Sequence, residues 1–290
     1  LNERSWTMER YKKNILIELY KAINTNIQLK VGCIILGVIL ILVALTPLLA
    51  THNPKVLGEV LKVPGKENFL GTDGLGRDVY SMILYGARAS IVVGLVSASI
   101  SGILGTLIGG FAGFYGGKAD RVISEIINIF LMIPTFFLIL IIVSIFGSSM
   151  INVMIVIGLT SWPSNARLMR VQALALKERT FIKSVTAIGE TNIQILFRYI
   201  IPNGIYPVIA NTTLSVAGAI LTEAGLSFLG LGDPNLISWG QMIFEGKAYM
   251  ATAWWISTFP GIATFILVLS FFLIGDGLNV VLNPKLKSKQ

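Results

Sequence analysis

Two glycine-rich stretches have the composition of phosphate-binding loops, in which backbone N–H groups hold phosphate oxygens. One is Phe69–Asp78, with the sequence FLGTDGLGRD, and the other is Gly116-Gly-Lys-Ala. Neither contains the Gly-Lys-Ser/Thr that sets a lysine on the nucleotide phosphates and a hydroxyl on magnesium. We therefore predict that this chain does not bind ATP by that route. Because paired carboxylates, HExxH and a serine–histidine arrangement are also missing, the sequence predicts no catalytic residues.

Metal-ligating residue types are scarce. The chain has one histidine, His52, and one cysteine, Cys33, which lies inside an apolar run. Metal sites made of these residue types need several ligands at short spacing, and a disulfide needs a second cysteine. The sequence therefore predicts no metal site and no disulfide within the chain.

Glu223 is the carboxylate that lies deepest in an apolar run, with Thr222 beside it and Ser227 four residues further on. A charge at the centre of a bilayer costs roughly 2.5–3.5 kcal/mol, so such a residue needs an explanation. Either Glu223 belongs to a transport pathway or gate, or it lies near the outer interface and is hydrogen-bonded by small neighbours. The second interpretation is favoured, and Glu223, Thr222 and Ser227 stay as possible pathway or gate residues.

The longest polar interval in the second half of the chain is Arg167–Asn203, which is basic. Within it an apolar residue recurs at helical spacing, at Phe181, Ile182, Val185 and Ile188. A glycine, Gly189, follows where such a helix would end. The pattern predicts a short amphipathic helix that is offered to another protein. An ordinary solvated loop with an incidental helix is the alternative.

The composition is typical of a membrane protein. Of 290 residues, 54% are hydrophobic and only 13% are charged, whereas a soluble domain has about 25% charged residues. The formal net charge of +8 could suggest a nucleic-acid partner. However, the basic residues lie in short clusters between apolar runs, which is typical of a topology signal. We expect a multi-pass protein of the cell membrane that binds no nucleic acid.

Six apolar segments are predicted to span the bilayer. They are Val31–Ala50, Ala89–Phe114, Glu125–Phe146, Ile151–Ala166, Tyr206–Leu231 and Ile256–Ile274. The second is rich in small residues, which let helix backbones approach closely in lipid. Pro134 predicts a kink in the third. The short link near Gly147 predicts a hairpin of the third and fourth, and Gly275 is expected to end the last span.

An even number of spans places both ends of the chain on one side. The basic clusters then share that side, and the positive-inside rule makes it cytoplasmic. The predicted parts are a cytoplasmic N-terminal segment 1–30, a first transmembrane helix 31–50, an extracytoplasmic loop 51–88, a transmembrane domain 89–280 with a cytoplasmic loop 167–205, and a cytoplasmic tail 281–290. Because the sequence begins at Leu1, the true start is expected upstream or at Met8.

Several stretches together resemble the membrane permease subunits of ATP-driven (ABC) importers of the dipeptide, oligopeptide and nickel group, in particular the C-type permeases. They are FLGTDGLGRD at Phe69–Asp78 with Tyr85–Arg88, Trp162–Arg170, Glu223–Gly232 with Ser238–Gly240, Phe259–Gly261, and Gly275–Asn279 with Asn283-Pro284. The similarity covers nearly the whole chain in the expected order. It implies an all-α membrane protein with the type I ABC importer permease fold, six transmembrane helices and cytoplasmic termini.

The resemblance places the family's ATPase-coupling loop in the basic stretch. The family has Glu-Ala-Ala followed by a glycine, and here Lys183-Ser184-Val185 and Gly189 take these positions. The acidic position is thus Lys183, and a salt bridge from it would need an acidic partner on the ATPase. The residues implied in coupling are Phe181, Ile182, Lys183, Ser184, Val185, Ala187, Ile188, Gly189, Pro202 and Asn203.

The resemblance also implies partners. They are a second homologous permease, two ATPase subunits that bind ATP and magnesium, and an extracytoplasmic substrate-binding protein. No cofactor is expected on this chain. Peptides are the first expectation for the substrate, and oligosaccharides and nickel or metal chelates are alternatives. Hydroxyl groups at Ser97 and Ser101 are suggested to line the path with Thr222 and Ser227. An ion-coupled secondary transporter would need charged mid-span residues and internal repeats, and a membrane enzyme would need a polar catalytic cluster.

Overall fold

The structure is a computed structural model that describes residues 25–282. The predicted N-terminal segment up to residue 24, the tail from residue 283 and the Asn283-Pro284 motif lie outside the described residues. The α-helices are α1 Ile27–Ala44, α2 Thr46–Leu49, α3 Val79–Tyr115, α4 Gly117–Met132, α5 Thr135–Phe146, α6 Met150–Lys177, α7 Thr180–Ala187, α8 Asn192–Ile195, α9 Ile201–Gly204, α10 Tyr206–Leu226, α11 Trp239–Gly246 and α12 Trp255–Leu282. Two π-helical turns, Leu196–Ile200 and Ser227–Leu231, continue α8 and α10, and the 3-10 turn Lys247–Tyr249 follows α11.

Four of the described helical segments are long and apolar enough to cross a membrane: α1, α3, α10 with its π-turn, and α12. The pair α4 and α5 makes a fifth if it is counted as one span, although the two helices are bent by 86°. The break lies at Pro134, whose extended backbone (ψ 106°) interrupts the helix, so the predicted kink is confirmed. The remaining predicted span, 151–166, lies in the first half of α6. The count of six therefore stays a prediction.

Helix ends differ from the sequence prediction where a capping or packing residue intervenes. α3 starts at Val79 rather than Ala89 because the Asp78 side chain accepts a hydrogen bond from the Ser81 N–H at 2.9 Å, which caps the helix. The predicted stop at Gly275 is wrong, since α12 continues to Leu282. A Cβ at Gly275 would lie 2.7 Å from the Leu214 side chain. This glycine permits close helix packing and does not end the helix.

α3 packs closely against α6, and glycine makes this possible. A Cβ at Gly109 would lie 2.1 Å from the carbonyl oxygen of Ala166, and one at Gly105 would lie 2.4 Å from Asn165 Cβ. A Cβ at Gly113, one turn further on, would lie 2.4 Å from the Arg170 carbonyl oxygen. The spacing of four residues brings all three glycines to one face of α3. The expectation that small residues in this helix serve close packing is confirmed.

α3 connects two ends of the helical bundle. Near its start, Val79 belongs to an apolar cluster that includes Trp239 and Trp255. At its end, Phe114 belongs to a second cluster that includes Ile182 of α7. α5 and α6 form the predicted hairpin, in which Gly147 between them has a φ of +93°. The two ends are called the α11 end and the α7 end below.

Candidate functional sites

α7 ends as the sequence predicts. Gly189 has a φ of +88°, in the left-handed region. Its N–H donates to the Thr186 carbonyl oxygen at 3.1 Å, and the Glu190 N–H donates to the Val185 carbonyl oxygen at 3.4 Å. This pair of bonds is the Schellman motif, in which a glycine commonly takes the left-handed position. Because nothing lies within 4 Å of a Cβ built at Gly189, the backbone conformation alone favours glycine here.

The apolar stripe of α7 is divided between the chain's own core and its surface. At 100° per residue, the four apolar positions span an arc of about 120°. Ile182, at one edge, is only 2% exposed and packs with Val185 against the cluster around Phe114. Phe181 and Ile188, at the other edge, are 42% and 80% exposed. One edge therefore fixes α7 to the bundle, and the other is free to meet a partner.

The polar positions of α7 are exposed. Lys183 Nζ lies 3.0 Å from Glu178 Oε2, and both side chains are largely exposed to solvent. An exposed ion pair of this kind contributes little stability, but it gives Lys183 an acidic neighbour within its own chain. Ser184 and Ala187 are exposed as well. These side chains can all be reached from outside the bundle.

The segment after Gly189 extends this surface. Thr191 and Gln194 form a reciprocal capping box at the start of α8, which the Thr-x-x-Gln spacing could have revealed in the sequence. Ile193 and Phe197, at helical spacing, are 65% and 54% exposed. These two residues were not among the predicted coupling residues. We call the exposed side chains Phe181, Lys183, Ile188, Ile193 and Phe197 the α7 surface.

Pro202 and Asn203, the last predicted coupling residues, lie in α9 and are exposed. Asn203 Nδ2 donates to the Tyr199 carbonyl oxygen at 2.6 Å, which keeps this amide on its own helical turn. α9 follows the buried Ile195 and Ile200, which share a cluster with Ile182. The structure therefore joins α7, α8 and α9 through one apolar cluster.

Some basic residues of this stretch are structural. The Arg170 guanidinium donates to both carboxylate oxygens of Asp120, with Nε 2.5 Å from Oδ1 and Nη2 2.7 Å from Oδ2. This bidentate pair links α4 to α6. Arg167 donates to Asn128 Oδ1 at 3.1 Å. Both arginines lie within α6, so the predicted polar loop starts as helix.

At the α11 end, the structure brings Glu223 and Ser227 together. Glu223 is 7% exposed, and its Oε1 accepts hydrogen bonds from the hydroxyls of Ser227 and Ser238, each at 2.9 Å. The hydrogen bonds expected from small neighbours are therefore present. Thr222 is half-buried and donates to the Gly218 carbonyl oxygen of its own helix at 2.8 Å. The contact with Ser238 could not be predicted, because this residue is 15 positions from Glu223 and caps the start of another helix, α11.

Ser97 and Ser101 do not line a path in this chain. Both are buried, and Ser97 Oγ donates to the Met154 carbonyl oxygen at 3.0 Å. Ser101 Oγ accepts from Asn165 Nδ2 at 3.0 Å, and the same amide accepts from Asn211 Nδ2 at 2.9 Å. These bonds join α3, α6 and α10 and satisfy polar groups inside the bundle. The suggestion that both serines line a pathway is wrong for this reason.

A bundle with four or five described segments that are long and apolar enough to cross a membrane is typical of a membrane protein. Residues 105–288, more than half of the chain, match the family described as binding-protein-dependent transport system inner membrane component. The chain belongs to this family. It is accordingly an inner membrane protein.

Relatives of this inner membrane component cover most of its length. The dipeptide transport system permease protein of Alkalihalophilus pseudofirmus is 38% identical over 277 residues, which cover 93% of this chain and 90% of the relative. The glutathione transport system permease protein of Pectobacterium atrosepticum is 40% identical over 226 residues, covering 78% and 75%. A probable D,D-dipeptide transport system permease protein of Escherichia coli is 34% identical over 263 residues, covering 89% and 88%.

One solved structure supports the fold. A chain of the MetNI methionine ABC transporter, in an inward-facing conformation, aligns with a TM-score of 0.55 and 21% identity. The alignment covers 69% of this inner membrane component and 96% of the other chain. At this identity the likeness shows a shared fold and carries no information about the substrate.

The FLGTDGLGRD stretch of this inner membrane component is a structural clasp at the α11 end. Gly71 and Gly76 have φ values of +76° and +79°, which explains the glycines without a phosphate. Arg77 donates to Asp73 Oδ2 at 2.6 Å and contacts Glu245 of α11. Burial lowers the pKa of Arg77, but the two carboxylates outweigh it and leave that pKa above its ordinary value. The clasp thereby ties the segment before α3 to α11.

Proposed function

We propose that this chain is a permease subunit of an ATP-driven importer and forms half of a translocation pathway for peptides. Its role is transport, and it has no catalysis of its own. The single observation that carries the coupling role is α7. One edge of this helix is anchored in the bundle by Ile182, and the other presents the exposed Phe181 and Ile188. Amphipathic helices of this kind dock in apolar grooves of partner proteins.

The geometry suggests how motion would pass from a partner to the spans. Ile182 packs with Phe114 of α3 and Met169 of α6, so a push on α7 would move the ends of both helices. The Asp120–Arg170 pair would carry the same displacement to α4. Packed interfaces of this kind switch between discrete arrangements and do not deform continuously. ATP-driven closure of two ATPase subunits, which bind ATP and magnesium, would supply the push.

The remaining parts of the proposal follow from the family. The chain would pair with a second homologous permease, contact an extracytoplasmic substrate-binding protein, and cross the membrane six times with both termini in the cytoplasm. The α7 end would then be cytoplasmic and the α11 end extracytoplasmic. The exposed cations Arg179, Lys183 and Arg198, together with the half-buried Lys177, suit the cytoplasmic side under the positive-inside rule.

Peptides are the proposed substrate class because the relatives carry names that refer to dipeptides, a D,D-dipeptide and glutathione. Oligosaccharides and nickel or metal chelates remain the alternative within the same architecture. An ion-coupled secondary transporter is the less favoured mechanism.

The deciding experiment is affinity purification of the chain from its native membrane, followed by mass spectrometry and by uptake assays in proteoliposomes. We expect a second permease and ATPase subunits to co-purify, and we expect labelled peptide to accumulate only when ATP and the binding protein are supplied. Uptake by the chain alone, without ATP, would contradict the importer and favour the secondary transporter. ATP-driven uptake of sugars or metal chelates but not peptides would overturn only the substrate class.

A further inference from the structure

A small cavity of about 20 Å³ lies between α3, α6, α10 and the segment that leads into α11. Four polar residues line it: Glu223, Ser227, Asp233 and Ser238. The other side chains of its wall are apolar, and no lysine, arginine or histidine of the described residues lines it. One water-sized occupant needs roughly 10–15 Å³. The cavity therefore admits a single small group and excludes a nucleotide or a whole peptide.

Glu223 lines this cavity, and only one of its two carboxylate oxygens has hydrogen-bond partners among the described residues. Oε1 is occupied by the hydroxyls of Ser227 and Ser238. Oε2 is buried and has no hydrogen-bond partner among the described residues. A buried carboxylate without a partner is strongly unfavourable unless a proton or a positive charge neutralises it. The site therefore requires a proton or a cation, which the described side chains around it do not supply.

The second carboxylate of the wall, Asp233, differs from Glu223 because both of its oxygens accept a hydrogen bond. Its Oδ2 accepts from the Met150 N–H at 3.2 Å, and its Oδ1 accepts from the Asn235 N–H at 3.0 Å. Met150 is the first residue of α6, where the helix dipole stabilises negative charge. Two carboxylates on one small cavity make it a negative site.

The hydrogen bonds that the two serine hydroxyls donate determine whether the cavity favours a cation or an anion. Ser227 and Ser238 both direct their protons to Glu223 Oε1. Ser227 therefore has only lone pairs left to offer the cavity, whereas one lone pair of Ser238 already accepts from the Gln241 N–H at 3.1 Å. The two serines therefore have no hydroxyl proton left for an anion, but a cation would find oxygen acceptors.

We propose that this cavity binds one small monovalent cation, an alkali-metal ion or an ammonium group, with Glu223 Oε2 as its anionic ligand. Ser227 and Asp233 supply further oxygen atoms to the same cavity. Mg²⁺ is disfavoured because it keeps several of its waters when it binds, and a cavity of about 20 Å³ has no room for them. A bound cation would hold α10 and α11 together through Glu223 and Ser238.

The ammonium group has a second source, and this part of the proposal rests on the proposed function. A larger cavity of about 890 Å³ shares Ala89, Met150 and Leu236 with the small one. A peptide in the larger cavity could extend its terminal ammonium group into the smaller one. An ion of the medium and this end of a substrate are the two sources of the occupant, and they share one chemistry: a single positive charge of small radius.

The test uses the assembled complex in lipid nanodiscs and measures its thermal unfolding. Sodium, potassium and ammonium chloride are compared with choline chloride at equal ionic strength, because choline is too large for the cavity. We expect at least one small cation to raise the unfolding temperature by about 2–4 °C with saturation. Equal unfolding temperatures in all four salts, with and without peptide, would overturn the proposal and indicate that Glu223 is protonated.

Substitutions inside and outside the cavity test whether the cation-dependent rise in unfolding temperature arises at Glu223. Glu223→Gln keeps the shape of the side chain and should abolish the cation-dependent shift, whereas Glu125→Gln removes an exposed carboxylate and should leave it intact. Ser227→Ala should raise the cation concentration needed for half of the shift. If Glu223→Gln responds to salt as the natural protein does, the site is elsewhere and the proposal fails. If a variant does not assemble, the comparison of salts on the natural protein still tests whether a small cation binds.

A further experiment with peptides distinguishes an ion of the medium from the ammonium group of a substrate. In choline chloride, a dipeptide with a free amino terminus is compared with its N-acetylated form. Stabilisation by the free form alone, lost in Glu223→Gln, assigns the site to the substrate's ammonium group, and stabilisation by salts without peptide assigns it to an ion of the medium. Neither result depends on co-purification or ATP-driven uptake, so failure here is distinguishable from failure of the proposed function.

Discussion

The indole Nε1 of Trp255 donates a hydrogen bond of 3.1 Å to the carbonyl oxygen of Thr72, although the two residues are 183 positions apart. The bond fixes the segment before α3 to the first residue of α12. It depends on the neighbouring Gly71, whose φ is +76°. A Cβ at Gly71 would lie 2.6 Å from Trp255 Nε1 and 2.6 Å from the Lys62 carbonyl oxygen. The clasp at the α11 end therefore has no room for a side chain at this position.

Gly71→Ala should lower the stability of the purified protein by at least about 1–2 kcal/mol, because alanine disfavours the left-handed backbone and its methyl group would displace Trp255. Gly65→Ala is the matched control, since the nearest atom to its added Cβ is 3.8 Å away. Thermal unfolding followed by tryptophan fluorescence measures both. Equal unfolding temperatures for the two variants would contradict the role assigned to this contact.

Gly109→Ala should prevent the close approach of α3 and α6. The added Cβ would lie 2.1 Å from the Ala166 carbonyl oxygen, and a backbone atom cannot move aside without separating the helices. Overpacking of this kind costs typically about 1–3 kcal/mol. Gly37→Ala in α1 is the control, because nothing lies within 4 Å of its added Cβ. The yield of assembled protein in size-exclusion chromatography should fall for Gly109→Ala alone.

The sequence is informative where a feature depends on neighbours along one helix. Gly189 could be predicted as the end of α7 because the Schellman turn depends on the backbone of that one residue. Glu223 and Ser227 could be paired because four residues bring them to one face of α10. The role of Gly275 could not be predicted this way. A glycine in an apolar run suits both a helix end and a close contact, and only the position of Leu214 decides between them.

Features that depend on packing between helices could not be obtained from the sequence. The spacing of Ile182 and Ile188 places both on one arc of α7, but the side that is buried is decided by where α3 and α6 end. Ser238 reaches Glu223 only because Gly240 lets α11 approach α10, where a Cβ would lie 2.9 Å from Ala224 Cα. Without the helix positions, nothing in the sequence connects these residues.

Acid should weaken the clasp through Asp78. Burial raises the pKa of this carboxyl group, but hydrogen bonds from Asn68, Ser81 and Thr51 outweigh it and leave the pKa below its ordinary value of 3.8. A depressed folded-state pKa contributes stability that is complete above the unfolded value and is lost as pH falls through the folded one. The loss is therefore expected below about pH 4.

Asp78→Asn should reduce stability at neutral pH by about 1 kcal/mol, since hydrogen bonds to a charged acceptor are stronger than those to a neutral one. It should also flatten the fall in unfolding temperature below about pH 4. Glu125→Gln, which removes an exposed carboxylate, should keep the slope of the natural protein. An unchanged acid slope in Asp78→Asn would show that other groups control acid unfolding.

Gly189 offers a test of the coupling role that does not disturb packing. Because its surroundings are open, a substitution acts only through the left-handed backbone, which asparagine tolerates and a β-branched residue does not. Gly189→Val should therefore misdirect the chain after α7 and displace Ile188 and Ile193 of the α7 surface, whereas Gly189→Asn should preserve them. Both variants should insert into the membrane in equal amounts.

We expect Gly189→Val to lose most of its co-purifying ATPase and its ATP-driven uptake, and Gly189→Asn to retain the larger part of both. The strain at one residue is only about 1–2 kcal/mol, too little to unfold a bundle that is held by the α3–α6 contact. It is enough to shift a docking equilibrium about tenfold, since about 1.4 kcal/mol corresponds to one factor of ten. Normal co-purification and uptake in Gly189→Val would remove the coupling role from α7 and leave its exposed edge without a partner.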